Sequence, residues 1–143
     1  MPEVVRSLEI KAPPSTVWQW LASEDALRRW INPNLEIDLR VGGAFRLHDQ
    51  EADVWVSGYV LELVTEGALI LSWFEEGSDW VHPARLLFTL APTAAGTRVT
   101  LAHDGFAGIG KASWPDTVLA YERGADRHRL LERLAELVTT VSV

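Results

Sequence analysis

The side chains able to do chemistry in this sequence are scattered. The four histidines stand at positions 48, 82, 103 and 128, with no metal-ligand spacing. There is no cysteine, so thiolate metal sites and disulfides are excluded. His48-Asp49 and His103-Asp104 are sequence neighbours, but neighbours on a strand point to opposite faces, so neither is a ready dyad. No H-E-x-x-H and no nucleophile elbow is present. The run from Gly105 to Ala112 comes within one residue of the phosphate-binding pattern G-x-x-x-x-G-K-[ST]. Ala112 stands where a magnesium-binding hydroxyl is required, and no strand follows the next helix to complete a βαβ crossover. That run reads as a glycine-punctuated portal loop. The expectation is no catalytic residue, no metal and no cofactor.

Binding is the better use of these residues. His103 closes a strand and could place an imidazole, donor and acceptor near neutral pH, at a pocket. Its plainer role is a satisfied histidine at a sheet rim. Arg127 is a guanidinium on an otherwise apolar helix stripe, where it could hold a ligand carboxylate in two hydrogen bonds. It could equally pair with a carboxylate of the protein or reach out to water. Seven tryptophans are many for 143 residues. Trp55, Tyr59, Trp73, Phe88 and Phe106 are expected as an aromatic wall, with Trp80, in the loop 77–83, over an entrance; ordinary core packing is the alternative.

The elements that must position these groups follow from periodicity. Residues 4–10 alternate as a first strand, stopped by Pro13-Pro14. Ser15 and Ser23 are placed to cap two short helices, and Asn32-Pro33-Asn34 ends the second. Strands are expected at 35–39, 44–49, 53–65, 68–75, 84–91 and 97–103, joined by short glycine turns and so antiparallel. From Ser113-Trp114-Pro115-Asp116, which has capping-box spacing, to about residue 140 the period is helical. One stripe of that helix runs Ala120, Gly124, Arg127, Leu131, Leu134, Val138. Its second half is large and aliphatic, while its first half is small. Gly within a helix costs about 1 kcal/mol relative to Ala, so the Ala120–Gly124 end either lets backbones close up or leaves space; space is the reading adopted here.

Alternation then chooses the strand faces. One parity turns inward Phe45, Leu47, Trp55, Tyr59, Leu61, Leu63, Leu69, Leu71, Trp73, Leu86, Phe88, Leu90, Val99, Leu101 and His103. The other would bury Arg46, Glu62, Arg85 and Arg98, which is costly. The first parity leaves Val54, Val56, Val60, Ile70 and Leu87 outside, an outer face apolar enough to suit a loop or a partner chain.

Length and composition bound the rest. The chain is one domain, residues 1–143, of ordinary globular composition. Its formal net charge of −7 works against nucleic acid, because phosphate contacts need clustered cations. No segment resembles a signal peptide or a membrane span. A soluble cytoplasmic α+β domain is expected, with a curved antiparallel sheet of six or seven strands against one long C-terminal helix.

Four stretches in order, residues 12–31 (APPSTVWQWLASEDALRRWI), 41–47 (VGGAFRL), 58–63 with 69–73 (GYVLEL, LILSW) and 96–106 (GTRVTLAHDGF), resemble the START-like, or SRPBCC, superfamily. Within it they are most similar to the branch of homologues of the activator of the 90-kDa heat-shock protein's ATPase. The resemblance implies a helix-grip fold over a deep cavity. Superfamily members include lipid and hormone binders, cyclases and aromatases, so the fold supplies a cavity and the lining decides the chemistry. Members often carry a Gly-Trp pair in the last helix; here Gly124 precedes Ala125, and the tryptophan is absent.

Three functions suit such a chain. The first is a binding domain for a small apolar or aromatic, lipid-like ligand, held by Trp55, Tyr59, Trp73, Trp80, Phe88, His103, Phe106, Ala120, Gly124 and Arg127. The second is a cyclase- or hydrolase-like enzyme using His103 with Arg127 or Tyr59, which requires two or more polar groups to converge in the cavity. The third is an interaction or co-chaperone-type module, including a homodimer formed through the outer valines or the Trp80 loop.

Overall fold

The computed structural model describes residues 3–141. Seven strands, β1 (Val4–Ile10), β2 (Glu36–Ile37), β3 (Ala44–Asp49), β4 (Val54–Val64), β5 (Ala68–Glu75), β6 (Ala84–Pro92) and β7 (Thr97–Asp104), form one antiparallel sheet. The spatial order is β1-β7-β6-β5-β4-β3-β2. Every link from β2 to β7 is a hairpin between neighbours, as the short connections require, and β1 closes the far edge on β7. β2 is only two residues long, shorter than the pattern suggests.

Between β1 and β2 lie α1 (Pro14–Trp18) and α2 (Glu24–Arg28). Ser23 caps α2, its Oγ accepting from the Ala26 N–H at 3.1 Å. Ser15 does not cap α1: Pro13 takes that position, since Pro14 inside the first turn has no N–H to satisfy. The C-terminal helical segment is α3 (Trp114–His128) and α4 (Leu130–Val141). Ser113 makes no side-chain cap bond, so the capping-box spacing is not used. The segment is interrupted at Arg129, which adopts the left-handed conformation (φ 51°, ψ 51°). None of these helices is long and apolar enough to cross a membrane.

The main core lies between the sheet's inner face, α1, α2 and α4, with Leu131, Leu134 and Val138 of α4 fully inside. Each such side chain contributes about 1.5–3 kcal/mol by leaving water. A second cluster, Val4, Trp80, Ala84, Phe106 and Ile109, sits under α3. α3 itself buries no residue completely.

The expected parity holds on β3, β5, β6 and β7 but fails on most of β4. There Val56 and Val60 are buried, while Trp55 and Tyr59 are 41% and 58% exposed on the outer face with Leu61. The cause is a β-bulge between Val60 and Glu62. One extra residue reverses the facing of everything on one side of it. Leu63, beyond the bulge, points inward as expected, and Glu62 stays in water, but that leaves residues 54–60 in the opposite phase. Gly58 permits this path: a Cβ there would lie 2.0 Å from the Ser72 carbonyl oxygen and 2.7 Å from the Phe45 ring. The buried Ser72 hydroxyl accepts instead from the Tyr59 N–H at 2.8 Å.

Candidate functional site

A cleft of about 510 Å³ opens between the C-terminal half of α3 and the inner face of the sheet. Its wall is apolar: Leu47, Val54 and Val56 from β3 and β4, Trp73 from β5, Leu86 and Leu101 from β6 and β7. Its roof is Ala120, Gly124 and Ala125. A Cβ on Gly124 would meet only the ends of Arg127 and His128 at 3.9–4.0 Å, so nothing from the sheet presses against the helix here. Volume and lining are in the range of small-molecule sites.

Three polar groups meet at one end of this cleft. Trp73 Nε1–H donates to the Tyr121 hydroxyl at 2.9 Å, and that hydroxyl donates to Glu75 Oε2 at 2.5 Å. A short O–H···O⁻ bond is of the charge-assisted kind. Burial first, and then the Glu75 charge, raise the Tyr121 phenol well above its ordinary value, so it stays protonated. His103 stands beside them, its ring 5.0 Å from that of Tyr121 and 4.9 Å from that of Trp73. Only 8% of His103 is exposed, and its Nδ1 has no hydrogen-bond partner. Burial pushes its pKa down to about 4, so the imidazole is neutral at pH 7.

The mouth is charged. Arg6 of β1 meets Asp126 at 3.0 Å, Arg127 meets Glu51 of the β3–β4 loop at 3.0 Å, and His128 faces Asp49 at 3.8 Å. The two arginine pairs are exposed and each worth about 0–1 kcal/mol. They tie the end of α3 loosely to both sides of the opening.

Of the ten residues expected at the site, Trp73, His103, Ala120, Gly124 and Arg127 line the cleft. Arg127 is at the mouth and already paired, so it does not reach in to hold a carboxylate. Trp55 and Tyr59 are on the opposite face of the sheet, carried there by the bulge; Trp55 lies under the Arg46 guanidinium, 3.9 Å from its ring centre. Phe88 is core, edge-on to Trp30 at 5.2 Å. Trp80 covers no entrance: it is buried with Phe106, and both pack against the Tyr121 ring, at 6.3 and 5.2 Å. The loop 77–83 is held down because Val81 and His82 both donate to the Ile109 carbonyl.

Sequence reasoning missed Tyr121 and Glu75. Glu75 was readable, because it shares the parity of Leu71 and Trp73 on β5. Tyr121 was masked by the continuous helical stripe. The break at Arg129 resets the phase, so α3 turns Val118, Tyr121 and Ala125 toward the second cluster. Tyr59 lies on the other face of the sheet and Arg127 is held at the mouth by Glu51, so the polar groups that converge beside His103 are Trp73, Tyr121 and Glu75 in place of those two. Among the described residues no three His, Asp or Glu side chains gather to hold a metal ion.

The model for the family described as activator of Hsp90 ATPase homolog 1-like protein matches residues 11–138. The chain belongs to this family. Solved structures agree on the fold. Protein MLL2253 from Mesorhizobium loti superposes with a TM-score of 0.80 at 20% identity, over 99% of each chain. The Aha1 dimer from Colwellia psychrerythraea gives 0.77 at 15% identity, over 100% of each chain. Protein CV1439 from Chromobacterium violaceum gives 0.71 at 24% identity, over 96% of this chain and 98% of that one. No curated protein matches the sequence. Family and fold agree on a helix-grip domain.

Proposed function

We propose that this family member is a small-molecule-binding domain that takes the apolar body of its ligand into the cleft beneath Ala120 and Gly124. The observation that carries this reading is the 510 Å³ cleft between a helix with small residues and a wall of large apolar ones, with polar groups gathered at one end. Apolar area removed from water supplies the affinity, and the few polar groups set orientation. Trp73 lines the cleft and the other six tryptophans do not. Titration with an apolar aromatic amphiphile is therefore expected to quench part of the fluorescence, and Trp73→Phe to remove that change while binding persists by calorimetry. Quenching that survives in Trp73→Phe, or no heat of binding at all, overturns the reading.

Association of two copies is a second reading. Val54, Val56 and Val60 do not form its surface, because they face inward, and Trp80 is buried. Trp55, Tyr59, Leu61 and Val64 instead make an exposed row on the outer face of β4. One structural relative is a dimer by its description. Light scattering is expected to give twice the chain mass, and Leu61→Glu to give the single mass. A single mass for the unaltered chain dismisses the dimer.

A further inference from the structure

Hydrogen-bond roles in the cleft are one-sided. The Trp73 N–H is used on Tyr121, and the Tyr121 O–H is used on Glu75. What remains for a ligand is a pair of acceptors, Glu75 Oε1 and the free lone pair of Tyr121. Charge points the same way. Of the acidic residues lining the cleft, Asp126, Glu51 and Glu132 each pair with an arginine, and Asp49 faces His128. Glu75 has no cation within 4 Å among the described residues, its contacts being with neutral groups. Arg133, the one lining arginine without a carboxylate partner among the described residues, is exposed on α4.

We propose that the ligand's polar end is a protonated amine, seated against the Glu75 carboxylate beside the hydrogen-bonded Trp73 and Tyr121 side chains. This rests on the small-molecule reading above and names the ligand's class. As an apolar body fills the cleft it expels the water that solvates Glu75. A neutral or anionic head leaves that carboxylate unpaired in a drier site, whereas an ammonium pairs with it. A neutral His103 adds no competing positive charge.

The test uses three probes with one apolar body, phenylhexylamine, phenylhexanol and phenylhexanoate, titrated at pH 7 by calorimetry. The amine is expected to bind about tenfold tighter than the alcohol, and the carboxylate weakest. Glu75→Gln should erase the amine's advantage and leave the alcohol within about twofold. Tyr121→Phe, which keeps the carboxylate and frees its Oε2, should preserve the advantage. If Glu75→Gln does not fold, the three-probe order on the unaltered chain and on Tyr121→Phe decides. Alcohol binding with no gain for the amine, or a gain that survives Glu75→Gln, overturns the amine assignment and leaves the cleft reading standing. No binding of any probe to the folded chain removes both.

Discussion

His103 shows how the environment sets the chemistry of a single residue. Its ring is enclosed by Trp73, Phe106 and Tyr121, with the phenol protonated, the Glu75 carboxylate beyond it, and Asp104 next in the chain. Desolvation outweighs the pull of the Arg85 carbonyl and of Asp104, and the folded pKa falls to about 4 from 6.5. Between those values the unfolded chain binds more protons than the folded one, so stability increases with pH. The contribution is complete above pH 6.5 and is lost as the pH drops toward 4. Urea midpoints should therefore decline from pH 7 to pH 5, and His103→Gln should flatten that decline. An equal slope in the variant would show that the titration belongs to other groups.

At the scale of elements, two irregularities decide which side chains meet. The bulge in β4 sends Trp55 and Tyr59 outward and brings Val54 and Val56 to the cleft wall. The left-handed Arg129 separates the phase of α3 from that of α4. Left-handed backbone costs a non-glycine residue about 1–2 kcal/mol, and more for a β-branched one. Glycine carries no such cost but loses more freedom on folding. Arg129→Gly is therefore expected to be neutral or stabilising by up to about 1 kcal/mol, and Arg129→Val to destabilise by about 1–2 kcal/mol. Denaturant unfolding of the two variants checks this. A stabilised Arg129→Val would mean that the break gives way to a continuous helix.

Across the whole molecule, stability is unevenly distributed. α4 drives Leu131, Leu134 and Val138 into the main core, whereas α3 has no fully buried residue and spans the cleft, tied at its end by exposed ion pairs. Such a segment opens at lower free energy than the core. Amide exchange is expected to be faster in α3 than in α4 and β7 under native conditions, and a cleft ligand should slow it chiefly in α3. Uniform protection across both helices would show that the cleft opens some other way.

The architecture was legible in the primary structure because it depends on period and punctuation. The two-residue alternation of β3, β5, β6 and β7, the glycine turns, and the change to a helical period after Ser113 each follow from local backbone preference and burial. So did the small Ala120–Gly124 half of the helix, Trp73 and His103. The site's other half, Tyr121 on Glu75, was settled only in three dimensions. A one-residue bulge and a one-residue left-handed turn cost little locally and leave no compositional mark. They persist because packing across the sheet favours them, and each reverses or rotates every side chain that follows. Local pattern therefore determined that a helix would lie over an antiparallel sheet, and tertiary packing alone decided which polar groups face each other across the space between them.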